Sequence, residues 1–313
     1  MKFGIIKERK NPPDRRVVFS PNEIKTIQEQ FPVVCFKVEP SDIRIFSDAE
    51  YQNLGIEVTD DLSDCEVLFG VKEVPVEALI PNKKYFFFSH TIKKQPYNQK
   101  LLQAVLEKNI ELYDHETIVD AANKRLIGFG RYAGIVGAYN AIRAFGIKFE
   151  LFKMPKASAL KGRDALVQQV KRQIIPPIKI VVTGTGKVGS GVKEMLLAMK
   201  IKEVSVENFL TKKFTQPVFT QIDVLEYNKR MDGQKFDTKD FYKNPSEYES
   251  DFERFTKVAD IYISGHFHAN AAPQILSQKM LQANDCAIKI VADVSCDVNG
   301  PIACTLRAST IED

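Results

Sequence analysis

Residues 178–200 read IKIVVTGTGKVGSGVKEMLLAMK. An apolar, β-branched run meets Gly184, Gly186 and Gly189 at G-x-G-x-x-G spacing, and Val192, Met195, Leu196 and Met199 then recur at helical spacing. This order predicts a strand, a tight glycine turn and an amphipathic helix. The first glycine permits the turn, and the second removes a side chain that would strike a pyrophosphate. The third lets helix and strand pack closely, while the helix N-terminus offers amides and a partial positive charge. Gly184, Gly186, Lys187, Val188 and Gly189 are therefore a candidate dinucleotide loop. The next strand-like run, VSVE, ends at Glu207, 23 residues after Gly184. A carboxylate there accepts hydrogen bonds from ribose hydroxyls and repels a 2′-phosphate, which favours NAD. Lys212 and Lys213 follow closely and leave NADP open.

The rest of the chain alternates in the same way. FGIIKE precedes PNEIKTIQEQF, EVLFGVKEV precedes VEALI, KYFFFSH precedes QKLLQAVLEKN, and IELYDHE follows. Strand and helix patterns in alternation predict an α/β fold with parallel sheets and crossover helices. At 313 residues there is chain enough for two domains. Between the two series, KRLIGFGRYAGIVGAYNAIRAFG carries Gly128, Gly130, Ala133, Gly134, Gly137, Ala138 and Ala141, a pattern suited to a closely packed helix connecting two domains. The boundary is placed near residue 130. Residues 1–130 form the expected substrate-binding, catalytic domain and 131–313 the dinucleotide-binding domain, with an insertion at about 215–257.

Charge and composition narrow the partners. A formal net charge of +4 with no long basic run argues against nucleic acid and suits an anionic small molecule. No apolar run reaches transmembrane length, and MKFGIIKERK lacks a signal-peptide core, so no membrane partner is expected. Five scattered cysteines without metal-like spacing read as reduced thiols in the cytoplasm. No metal is expected, and a homo-oligomer is compatible with all of this.

Four charged stretches stand out before the glycine loop. Arg16 follows a proline-rich turn, Lys72 ends the apolar run VLFGV, His90 follows FFFS with Lys93 and Lys94 close behind, and Arg125 and Arg131 flank LIGFG. In open α/β sheets, ligands bind at the carboxyl ends of strands, where Lys72 and His90 are expected. A lysine with a lowered pKa and a histidine titrating near ~6.5 can divide the proton transfers that accompany oxidation of an amine to an imine. Arginine is the natural clamp for a carboxylate. His115 reads as a helix-start residue. His266 and His268, in ISGHFHANAAP, form a His-x-His without an acidic or cysteine partner nearby, so His266 is a candidate contact for the nicotinamide end of a cofactor rather than a metal ligand.

Taken together, these residues resemble the alanine dehydrogenase, saccharopine dehydrogenase and lysine–2-oxoglutarate reductase superfamily. The resemblance covers nearly all of the chain outside the insertion. It rests on KERKNPPDRRVVFSP, FGVKEVP, FFFSHTIKKQPYNQKLLQAVLEKNIELYDHE, RLIGFGRYAG and VADVSCDVNGPI, the last three closest to the saccharopine-forming branch. It implies two Rossmann-like, doubly wound domains with a cleft between them. It implies Lys72 and His90 as an acid–base pair and Glu73 as a neighbour tuning Lys72. Arg16 and Arg125 would hold substrate carboxylates, Lys93 would line the same pocket, and Asp293 would reach it from the second domain. The implied activity interconverts saccharopine with lysine and 2-oxoglutarate through an imine, with hydride transfer to or from a nicotinamide cofactor. Alternatives are oxidative deamination of L-alanine, and nucleotide sensing without catalysis. Family members continue past the position of Asp313 with a segment that packs back on the first domain, so a closing segment is expected to be missing here.

Overall fold

The computed structural model describes residues 1–10, 13–94, 96–266, 272–298 and 300–307; the side chain of Lys93 and all of His268 lie outside the described residues. The chain divides into two units, Met1–Gly128 and Phe129–Asp313.

The first unit holds strands β1 (Lys2–Ile5), β2 (Cys35–Val38), β3 (Glu57–Val58), β4 (Val67–Phe69), β5 (Lys84–Phe87) and β6 (Glu111–Asp114). They pair in parallel in the order β3-β2-β1-β4-β5-β6. This is a doubly wound sheet whose strand order reverses beside β1, so its ligand crevice belongs at the carboxyl ends of β1 and β4. Helices α1 (Pro21–Gln30), α2 (Asp48–Gln52) and α3 (Gln99–Glu107) cover it. Helices α1 and α2 each begin with a serine N-cap and a glutamate three residues on, Ser20 with Glu23 and Ser47 with Glu50, which satisfies two otherwise orphaned amides apiece. One face of the sheet packs Leu68, Tyr85 and Phe87 on Leu101, Ala104 and Val105 of α3; the other packs Ile5, Phe36 and Val38 on Ile24 of α1 and Tyr51 of α2. An aromatic row crosses the strands through Phe36, Phe3, Phe69, Phe86 and Tyr113, with ring centroids 5.2, 5.7, 4.9 and 4.6 Å apart in turn. Such cross-strand pairs reinforce register.

The second unit opens with α4 (Gly130–Lys148) and α5 (Arg163–Lys171), followed by β7 (Lys179–Thr183), α6 (Lys187–Ala198), β8 (Lys202–Glu203), α7 (Val206–Thr211), β9 (Val218–Ile222) and α8 (Val224–Tyr227). A hairpin of β10 (Asn228–Arg230) and β11 (Tyr248–Ser250) encloses α9 (Thr238–Lys243), and β12 (Ile261–Ser264) and β13 (Ile290–Asp293) complete the parallel sheet β13-β12-β7-β9-β8. Side chains of β7 alternate between two cores. Ile180 and Val182 meet Ile142 of α4 and Val192 and Met195 of α6, whereas Val181 meets Phe209, Phe252 and Phe255. The small-residue stripe packs α4 against α6. A methyl on Gly134 would lie 2.0 Å from the Val188 carbonyl, and one on Gly191 2.0 Å from the Arg131 carbonyl.

Two expectations need correction here. VSVE does not form a strand ending at Glu207: the strand is the short edge pair Lys202–Glu203, and Ser205 then caps α7 by accepting from the Asn208 amide, which puts Glu207 in a first helical turn. The inserted segment is also shorter than 215–257, because β9 is a buried strand hydrogen-bonded beside β7. The inserted hairpin is pinned by Arg230, whose guanidinium bonds Asp232 and Glu247 (NH2 to Oδ2 2.9 Å and to Oε2 2.8 Å) and Asp240.

Candidate active site

In the first unit the ends of four neighbouring strands converge. Past β1, the carboxylate of Glu8 accepts from the amides of Val71 (2.6 Å) and Lys72 (2.9 Å), which fixes the turn after β4. Burial raises the Glu8 pKa, against the pull of those two amides. Lys72 is thereby presented on a held backbone, and its Nζ lies 3.5 Å from His90 Nε2 and 5.9 Å from the centroid of Phe88. Burial, then the charges of Arg16 and Lys10, push the Lys72 pKa below the ordinary lysine value.

His90 stands just past β5 with φ 56° and ψ 10°, a left-handed conformation uncommon for a residue with a side chain. Its neighbour Ser89 anchors the turn by donating to the carboxylate of Asp114 at the end of β6. His90 Nδ1 lies 3.0 Å from Glu116 Oε2. An ionised carboxylate only accepts, so Nδ1 is the ring nitrogen that donates, and Nε2 is turned toward Lys72. The glutamate itself is held by its backbone amide on Asp114 Oδ1, 2.7 Å away. Glu73 joins the group from the other direction, with Oε1 3.6 Å from His90 Nε2 and Oε2 3.1 Å from Lys10 Nζ. Arg125 NH2 lies 3.5 Å from Glu116 Oε1, and its guanidinium sits 5.9 Å from the Phe88 ring.

Lys72, Glu73, His90 and Arg125 thus form one cluster. Arg16 is gripped by Asp14 through Nε (2.9 Å to Oδ1) and acts on Lys72 through its charge. The Lys93 side chain lies outside the described residues. Arg131 belongs to the second unit, where it pairs with Glu194 of α6 (Nε to Oε2 2.7 Å), so it does not add to the carboxylate-binding cations. His115 does not start a helix: it is buried, donates its amide to the Phe87 carbonyl (3.1 Å) and meets the Phe88 ring edge-on. Glu8 and Glu116 escape a linear reading because their partners lie 64 and 26 residues away.

In the second unit Gly184 has φ +94°, and a methyl there would lie 2.6 Å from the Gly265 carbonyl. A methyl on Gly189 would come within 1.9 Å of the Gly184 carbonyl, whereas nothing lies within 4 Å of one placed on Gly186. Turn and helix packing therefore exclude side chains at the first and third glycines, and the second faces open space, as a pyrophosphate loop requires. Gly186 N-caps α6, which Lys187 and Val188 begin, with Lys187 exposed. Gln221 on β9 donates to the Gly184 carbonyl at 2.8 Å and steadies the turn. The carboxylate at the end of the strand beside β7 is Asp223, the N-cap of α8, rather than Glu207. His266 is buried, with Nδ1 2.7 Å from Thr183 Oγ1. Asp293 accepts from Ser264 Oγ (2.6 Å), Ser295 Oγ (2.6 Å) and Thr305 Oγ1 (2.7 Å); burial works against its ionised form, but these bonds prevail and its pKa is lowered. It ties together the segments around β12 and β13. Among the described residues no group of three or more side chains is suited to hold a metal, and no helix is long and apolar enough to cross a membrane.

Two parallel, doubly wound sheets, one ending in a lysine–histidine contact and the other in a glycine turn, are Rossmann-like α/β folds. Consistent with this, residues 4–136 match the family "Alanine dehydrogenase/PNT, N-terminal domain". The chain is homologous to the "Alpha-aminoadipic semialdehyde synthase" of Arabidopsis thaliana, 29% identical over 99% of this chain and 33% of that one. It is also homologous to the "Saccharopine dehydrogenase [NAD(+), L-lysine-forming]" of Yarrowia lipolytica, 23% identical over 84% of this chain and 67% of that one. The chain therefore spans about a third of the length of the plant synthase it matches. A solved L-alanine dehydrogenase superimposes with a TM-score of 0.58 at 17% identity, covering 100% of this chain and 79% of that one, which shows the fold.

Proposed function

We propose that this chain interconverts saccharopine with lysine and 2-oxoglutarate through an imine, with a nicotinamide dinucleotide as hydride carrier. The observation that carries this reading is the contact of Lys72 with His90, backed by Glu116. Joining an amine to an oxo acid expels one water, and the departing oxygen must be protonated. Reversing the step needs a base to activate that water. A lysine whose pKa is lowered by burial, in contact with a histidine, is better suited to pass such protons than an ordinary exposed lysine. When bound, the dinucleotide supplies the hydride that reduces the imine carbon. Glu116 holds the imidazole so that Nε2 is the exchanging nitrogen, and Glu73 stabilises it once protonated. Arg125 and Arg16 supply fixed positive charge for substrate carboxylates. The name of the fungal relative supports the same substrate and NAD.

For the cofactor we assign Gly184, Gly186, Lys187, Val188 and Gly189 to the pyrophosphate and Asp223 to the ribose hydroxyls, with His266 and Asp293 shaping the loops behind β12 and β13. A carboxylate at the end of the strand next to β7 favours NAD over its 2′-phosphorylated form.

The deciding assay supplies lysine, 2-oxoglutarate and NADH to the purified chain, with pyruvate, ammonia and NADH in parallel. NADH consumption that requires both lysine and 2-oxoglutarate is the expected result. Consumption in the pyruvate arm alone transfers the chain to alanine oxidation, and silence in both with NADH bound leaves a nucleotide sensor.

A further inference from the structure

Asp114 ends β6 and is only 6% exposed, yet both of its carboxylate oxygens are bonded. The parallel register sets it opposite Phe87, so Ser89, two residues past Phe87, comes to the same face. Ser89 is fully buried and donates its hydroxyl to Oδ2, while the Glu116 amide donates to Oδ1 at 2.7 Å. One carboxylate therefore holds both the turn that carries His90 and the turn that carries Glu116.

The two turns need such a tie. His90 has φ 56°, a left-handed conformation that is unfavourable for a residue with a side chain and persists only where its surroundings over-determine it. Ser89 provides that constraint. Its Oγ accepts the Thr91 amide at 3.2 Å and lies 2.8 Å from Thr91 Oγ1. With its one hydrogen given to Asp114, Ser89 can only accept from the Thr91 hydroxyl as well. Thr91, Ser89 and Asp114 thus brace His90 from both of its chain neighbours. Asp114 extends the brace to Glu116, whose Oε2 lies 3.0 Å from His90 Nδ1. The Asp114 carboxylate bonds Ser89 and Glu116 and not the imidazole, so it acts on His90 by placement.

We propose that Asp114 is the positioning residue of the proton-transfer pair. By fixing Ser89 and Glu116 at once, it sets the contact of His90 with Glu116 and thereby which ring nitrogen carries the hydrogen. The proposal rests on the role assigned to His90 above and adds what keeps Nε2 bare toward Lys72. A ring released from Glu116 shares its hydrogen between both nitrogens. The fraction protonated at Nε2 has no lone pair to offer there.

The test reads the ring nitrogens directly, by nuclear magnetic resonance of the whole chain carrying isotope-labelled histidine, at a pH where the rings are neutral. The chain has four histidines, and the His90 signals are those lost in His90→Asn. Wild type is expected to show Nδ1 with the hydrogen and Nε2 bare. Asp114→Asn keeps the size of the side chain but offers a single acceptor oxygen, and Ser89→Ala removes one oxygen atom. Each should draw the two His90 nitrogens toward an averaged position and lower kcat by about tenfold or more, with NADH affinity unchanged. The double variant should be no worse than Asp114→Asn alone, because both changes break the same bond. Thr117→Ala is the control. It removes a 2.9 Å bond to the Asp114 backbone carbonyl and spares the carboxylate, so the His90 signals should stay where they are. Unmoved ring nitrogens in folded Ser89→Ala and Asp114→Asn overturn the proposal, as does an equal shift in Thr117→Ala. Lysine-dependent turnover at the wild-type rate in both variants removes the positioning role and leaves the reaction standing. Ring nitrogens that respond as expected, in a chain that turns over no oxo acid, keep the positioning role and remove the reaction.

Discussion

At the residue scale, the candidate site is built from contacts that no local pattern encodes. Lys72 and His90 could be singled out because strand ends are where an α/β sheet places chemistry. Glu116 could not, since its role depends on β6 lying beside β5, and the reading of His115 as a helix start hid the strand end that carries both. Lys72→Met should lower kcat by about 10²–10⁴-fold, the usual contribution of a proton-transfer group, with NADH affinity unchanged. A fluorescence titration alongside steady-state rates separates the two effects. Glu116→Ala should reduce kcat as well, because the ring loses the carboxylate fixing its tautomer. The Lys72 shift has a definite sign. Its folded pKa lies below the unfolded value of 10.5, so the unfolded chain binds more protons in between. Stability therefore rises with pH as Lys72 loses its proton in the fold, up to the unfolded value. Denaturant titrations across that window should show the gain in wild type and a smaller one in Lys72→Met.

At the element scale, the strand–turn–helix of residues 178–200 was readable because its determinants are adjacent in sequence: three glycines and a helical stripe. What escaped was strand order. Sequence distance pointed to Glu207, but an edge strand ended by the Ser205 cap leaves β9 as the neighbour of β7, and Asp223 inherits the position. Asp223→Asn should weaken NADH binding and narrow the discrimination against NADPH; equal loss of affinity for both would argue against a ribose contact. Gly134→Ala tests the helix pair. The added methyl meets a backbone carbonyl at 2.0 Å, so α4 and α6 must separate. The expected cost is about 1–3 kcal/mol in chemical denaturation, with looser dinucleotide binding because Val188 sits in the loop.

At the scale of the whole molecule, two units with separate sheets and separate cores imply two places where ligands act on stability. NADH should stabilise the second unit, by about 2.7 kcal/mol at a hundredfold excess over Kd, while 2-oxoglutarate should act on the first. Calorimetry that shows one transition moved equally by both ligands would mean that the units unfold as one. The aromatic row of the first unit offers another view of the same events. Phe86 and Tyr113 stack with 6° between their planes, Tyr113 is the residue before Asp114, and the chain has no tryptophan. Its near-ultraviolet dichroism is therefore free of indole bands, and the part lost in Tyr113→Phe is an optical signature of the strand that leads into Glu116. Protonation or substrate capture at the site can be followed there as a change in colourless light, with no label attached.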